Sequence, residues 1–114
     1  MERLARRALV RAGDLYSLED IIVRLADGRM QQFVQGESWL VTQVVDYPRA
    51  RVLEFFLVVG SGPDLVYLED QAVYYAISIG ATQIRAFGRP GWAKAYLPNR
   101  PEWRRTADVF TRDV

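Results

Sequence analysis

Three groups of residues in this chain have types and spacings that could do chemistry. The first is Gly60-Ser61-Gly62-Pro63-Asp64, between an apolar run, Val52–Val59, and a helix-period segment, Leu65–Ile79. A glycine turn that feeds a helix can present backbone N–H groups to a phosphate or another anion. The same turn can be an ordinary connection, and a Gly-x-Gly pair alone is a weak nucleotide signal in a chain too short for a full dinucleotide fold. The second group surrounds Gly88-Arg89-Pro90-Gly91-Trp92 and comprises Arg89, Trp92, Lys94, Tyr96, Arg100, Trp103, Arg104 and Arg105. Interleaved aromatic and cationic side chains stack bases and neutralise phosphates, and they also supply protein hot spots. The plainer reading is that Trp92 and Trp103 plug one end of the core while the arginines are solvated. The third is Glu54, the one acid in the apolar run. Burial among apolar neighbours would raise its pKa toward the range useful to a general base. The alternative is a structural pairing with a basic neighbour such as Arg51 or Arg85.

Composition removes several other chemistries. The 114 residues include no cysteine and no histidine. Disulfides, thiol nucleophiles and thiolate metal sites are therefore excluded, and the usual near-neutral proton carrier is missing. A metal would need carboxylates, and none are clustered for it. Fifteen Lys and Arg against fourteen Asp and Glu leave a formal charge of +1, too weak a field to predict nucleic-acid or membrane binding. Lys94 is the only lysine; arginine is the better side chain for bidentate carboxylate or phosphate contacts. No apolar run approaches the ~18–20 residues needed to cross a bilayer. The Arg-rich segment Met1–Gly13 lacks the continuous apolar stretch of a secretory signal. The expected location is the cytoplasm.

The elements that must position these residues follow from periodicity. Residues 1–13 read as a short helix or arm with Arg3, Arg6, Arg7 and Arg11 sharing much of one side, an anchor for an acidic partner or a solvated face. Residues 14–114 read as a single domain. Ser17 with Asp20 three residues on predicts a helix N-terminus, followed by Leu18, Ile21, Ile22 and Leu25 at helical spacing. Arg29–Val34 reads as one further helical turn burying Met30 and Phe33. Ser38–Asp46 alternates as a strand, Asp46–Ala50 is a turn, and Arg51–Val59 is a second, central strand in an antiparallel hairpin. Leu65, Leu68, Ala72, Ala76 and Ile79 stripe the next helix, widened by Tyr67, Tyr74 and Tyr75, with Glu69, Asp70 and Gln71 on its wet side. Asp64 would cap that helix at Leu65. Thr82–Phe87 is a short strand, parallel to Arg51–Val59 through a right-handed crossover. Pro90–Leu97 reads as a last short helix and Trp103–Thr111 as a returning strand. The class is α/β (α+β), a mixed and mainly antiparallel sheet with helices on both faces.

This order of elements resembles the GNAT acetyltransferase fold from about Leu18 to Arg112, most closely where VYYAISIGATQIRAF joins the long helix to the next strand. The string Gly88-Arg89-Pro90-Gly91-Trp92-Ala93 is similar to a segment of small GNAT-like proteins of tailed phages and prophages. The resemblance implies transfer of an acyl group from coenzyme A to an amine. Gly60, Ser61 and Gly62 would then hold the cofactor diphosphate, Glu54 would take the amine proton through water, and Tyr96 would protonate the departing thiolate. The sequence departs from the family's Arg/Gln-x-x-Gly-x-Gly/Ala signature. Leu57 stands at the Arg or Gln position, Pro63 removes an N–H donor, and Asp64 would put a carboxylate beside two phosphates.

Those departures lead to the expectation of a degenerate cofactor loop with no cofactor. Such a domain would act as a protein-interaction module, in virion assembly or as a minor virion component, in the host cytoplasm or the virion. Its interface would use Arg89, Trp92, Tyr96 and Trp103. Its partners would be proteins, among them phage structural proteins, rather than nucleic acid or membrane, and an oligomer is compatible with this reading. The alternative is an N-acyltransferase using acetyl-CoA.

Overall fold

The computed structural model describes residues 2–11, 13–87, 98 and 100–114. Two helices come first: α1, Glu2–Arg11, and α2, Leu18–Ala26. Helix α2 starts where the sequence predicts. The Asp20 N–H donates to Ser17 Oγ at 3.1 Å, and the Ser17 N–H donates to Asp20 Oδ2 at 2.8 Å, so two otherwise unpaired donors are satisfied reciprocally. The Ser17 backbone N–H, followed by the Ser17 hydroxyl, holds the Asp20 carboxyl below the usual carboxylate range.

Strands β1 (Met30–Gln35), β2 (Ser38–Tyr47) and β3 (Ala50–Val59) follow, then helix α3 (Gly62–Ser78) and strand β4 (Gln83–Ala86). The four form one sheet in the order β1-β2-β3-β4. The first three are antiparallel, and β4 lies parallel to β3 after the crossover through α3. The fold is thus the expected mixed α+β domain with helices on both faces.

Three element assignments are corrected. Met30–Gln35 is a strand, not a helical turn, and pairs along its whole length with Ser38–Gln43. Its connection to β2 is the two residues Gly36-Glu37. Gly36 lies at φ +58°, the backbone of a glycine-first tight hairpin. The β2–β3 connection is likewise only Pro48-Arg49, because Tyr47 pairs with Ala50. Trp103–Thr111 is not a strand; Arg104, Arg105 and Asp108 spoil the alternation that a half-buried strand needs. Pro90–Leu97 lies outside the described residues.

The sheet separates two cores. On one side Ala5 and Leu9 of α1 and Leu18 and Ile21 of α2 meet Met30, Trp39, Val41, Leu57 and Val59. On the other, Leu68, Ala72 and Ala76, one ridge of α3, meet Leu40, Leu53 and Phe55. Leu68 is wholly buried, a contribution of about 2 kcal/mol relative to an exposed leucine. Strand β3 serves both cores through an irregularity: Val41 pairs with Leu57 but Thr42 pairs with Phe55, so Phe56 is an extra residue. Leu57 and Val59 face α1 and α2, Phe56 packs with them against Tyr16, and Phe55 and Leu53 turn to α3. This bulge places Glu54 beside Gln43 on the side away from α3. Helix α3 is less amphipathic than its stripe predicts. Tyr67 and Tyr74 are exposed instead of widening the buried face, and only Tyr75 packs on the core.

Candidate functional site

The glycine turn after β3 is closed by its own neighbours. Helix α3 begins at Gly62, with Ser61 as N-cap, Pro63 in the first turn and Asp64 third. Asp64 is therefore not the cap of a helix starting at Leu65, but its carboxylate still serves this end. Ser38 Oγ donates to Asp64 Oδ2 at 2.9 Å, and Ser61 Oγ approaches the same oxygen at 3.3 Å. Ser38 Oγ in turn accepts the Ser61 backbone N–H at 3.2 Å. The negative carboxylate thus meets the positive end of the helix dipole. Gly60 lies at φ +143°, and a Cβ there would come within 2.0 Å of Ser38 Oγ. The turn at Gly36 is also close, since a Cβ on it would sit 3.5 Å from Asp64 Oδ2. In the sequence Ser38 reads only as the start of a strand and Gly36 as the end of a helical turn; their place beside Asp64 follows from the β1–β2 hairpin.

Glu54 lies where β3 and β4 run side by side, opposite Arg85 of β4. It is 7% exposed. Gln43 Nε2 donates to its Oε1 at 3.2 Å, and the Tyr47 hydroxyl donates to its Oε2 at 3.1 Å. The same hydroxyl accepts from the Arg85 guanidinium at 3.2 Å. Arg85 therefore reaches Glu54 through Tyr47, while Arg51 is committed elsewhere. Arg51 pairs with Asp46 at 2.6 Å and donates to the Ile79 carbonyl at the end of α3. That pairing holds the Asp46 carboxyl below its ordinary range. Gln43 and Tyr47 carry no motif; only the hairpin register places them beside Glu54. Tyr47→Phe removes one of the acid's two donors and the bridge to Arg85. The expected loss is about 1 kcal/mol, to be measured as a shift of the urea midpoint.

The third group is only partly described. Arg89, Trp92, Lys94 and Tyr96 lie outside the described residues. Trp103 is half-buried, with its ring 5.7 Å from that of Phe55, and its Nε1–H donates to Glu69 Oε1 at 2.8 Å. Arg100 pairs with the other oxygen of Glu69 and lies 3.8 Å from Asp70. Glu69 is 6% exposed, which corrects its assignment to the wet side of α3. Two cationic or N–H groups more than thirty residues away satisfy it. Glu54 sits midway along β3 and the turn at Gly60–Gly62 follows the end of that strand, so the two are separated by half the strand's length. Among the described residues no helix is long and apolar enough to cross a membrane.

No protein-family model matches the sequence, and no curated protein matches it. Among solved structures, the chain is similar to TTHA1254 of Thermus thermophilus. The wild type aligns at 16% identity and TM-score 0.63, over 100% of this chain and 86% of that one. A mutant of the same protein aligns at 16% identity and TM-score 0.62, over 100% and 92%. A structure described as a probable acetyltransferase aligns at 14% identity and TM-score 0.61, over 99% and 87%. The likeness is one of fold, a GNAT-like α+β domain.

Proposed function

We propose that this chain is a GNAT-like domain that does not bind acyl-CoA and works as a protein-interaction module. The observation that carries the reading is the Asp64 carboxylate at the N-terminus of α3, hydrogen-bonded by Ser38. An acyl-CoA diphosphate would need that end of the helix. It would meet a fixed negative charge there, Pro63 without an N–H, and a Ser61 N–H already donated to Ser38. The residues present do not fit the group. In this reading Arg89, Trp92 and Tyr96 contribute contacts by their residue types, with Trp103 beside them in sequence. The setting, virion assembly or a minor virion component of a phage or prophage, rests on the likeness of the Gly88–Ala93 string to phage proteins. The host cytoplasm and the particle are the corresponding locations.

Thermal unfolding with millimolar acetyl-CoA tests this. No change in Tm is expected. A ligand present at 100 times its dissociation constant stabilises the folded state by about 2.7 kcal/mol, so a saturating rise in Tm would overturn the reading. Such a rise would support a second one, an N-acyltransferase. That alternative is favoured by the buried Glu54, held in place by Gln43 and Tyr47. There Glu54 would accept the proton of the amine, with Tyr96 as the acid.

A further inference from the structure

Helix α1 carries four arginines and one glutamate in a chain whose overall balance is fifteen basic to fourteen acidic residues. Its buried side is small and apolar, Ala5 and Leu9. Arg6 is internally neutralised: it pairs with Glu2 at 2.9 Å and, across the helix pair, with Glu19 of α2 at 2.7 Å. That pairing holds the Glu19 carboxyl below its ordinary range. Arg3, Arg7 and Arg11 are exposed and have no ion-pair partner among the described residues. They stand four residues apart and form one ridge with rises of about 6 Å between successive positions. Val10, 63% exposed, lies beside them. Together with Glu2 and Arg6 these side chains line a shallow, open depression.

We propose that this outward face of α1 docks an acidic helix of a partner protein. The proposal rests on the interaction reading above and gives it a surface separate from residues 89–103. A partner helix with carboxylates every fourth residue repeats at the same ~6 Å rise, and arginine takes carboxylates in a two-pronged geometry. Val10 offers an apolar contact within the row. Base stacking needs aromatic rings, and α1 has none. Leu4 and Val10 are the exposed large apolar residues of α1, less than the continuous apolar face an interfacial membrane helix buries. The complement is therefore a protein helix with carboxylates in register.

The test uses the intact protein and a fluorescein-labelled, alanine-based helical peptide with glutamate at every fourth position and one leucine in the row. Fluorescence anisotropy is expected to show binding that weakens as salt is raised. The double variant Arg3→Gln, Arg7→Gln should weaken it about tenfold. Arg49→Gln, on the β2–β3 turn, should leave it unchanged. Far-UV circular dichroism confirms that α1 is retained, and Arg11→Gln provides a second, milder variant. Three results overturn the proposal: no peptide binding, binding indifferent to the α1 variants, or tighter binding of oligothymidylate or phosphatidylserine vesicles than of the peptide. Failure here leaves the thermal-shift result with acetyl-CoA untouched. A saturating shift there removes the interaction reading without altering the peptide titration.

Discussion

Gly60→Ala is expected to destabilise the domain by about 3–5 kcal/mol, the sum of backbone strain and overpacking. The backbone at φ +143° disfavours any L side chain. The added Cβ would also lie 2.0 Å from Ser38 Oγ, 2.3 Å from its Cβ and 2.8 Å from its Cα. Two of those atoms belong to a side chain, but the third is backbone of β2 and cannot swing away. For a domain of this length the loss corresponds to a fall in Tm of roughly 15 °C. Adding Ser38→Gly should recover only part of it, because the clash with the β2 backbone and the φ strain remain, and because Ser38 also links Ser61 to Asp64. Calorimetry on the single and double variants measures both effects. A Gly60→Ala protein that melts within a few degrees of the parent would show that β2 and the turn are not pressed together as described.

Glu69→Gln should be nearly as damaging, at about 2–4 kcal/mol. The acid is a buried residue of α3 and holds Arg100 and the Trp103 indole together. Removing one member of such a pair leaves a poorly solvated charge behind, which costs more than the pair itself contributes. Arg100 is partly exposed and close to Asp70, which keeps the figure below that of a fully enclosed pair. The apolar replacement Glu69→Leu with Arg100→Met should recover much of the loss. The indole N–H would still lack an acceptor until Trp103→Phe is added. Urea titrations of the three variants and the parent give the comparison. Equal stability of Glu69→Gln and the parent would contradict the burial assigned to this acid.

The sequence made local decisions legible and left distant ones hidden. Ser17 and Asp20 announce the start of α2 because both halves of the hydrogen-bond exchange lie within four residues. The β2–β3 pairing and the parallel return to β4 follow from apolar runs joined by a turn and by a helix. Met30 and Phe33 are three apart, a spacing that suits a helix. What makes that stretch a strand is its partner beyond Gly36, which no window centred on it contains. Glu69 looks like solvent-facing helix for a similar reason, since its partners arrive from residues 100 and 103. The glycine turn is readable as a turn into a helix. That Ser38 would hold Asp64 in place depends on a contact between residues 26 positions apart.

Phe56 gives β3 a property its neighbours lack. The half of the strand toward Arg51 and the half toward Val59 are geared together by a single additional peptide unit. Removing Phe56 would leave Leu57 opposite Val41 and Phe55 opposite Thr42 as neighbouring rungs of a regular ladder, with Leu53, Glu54 and Phe55 on the faces they now occupy. The segment can therefore shed that one residue and keep its faces, losing the ring that Phe56 sets against Tyr16.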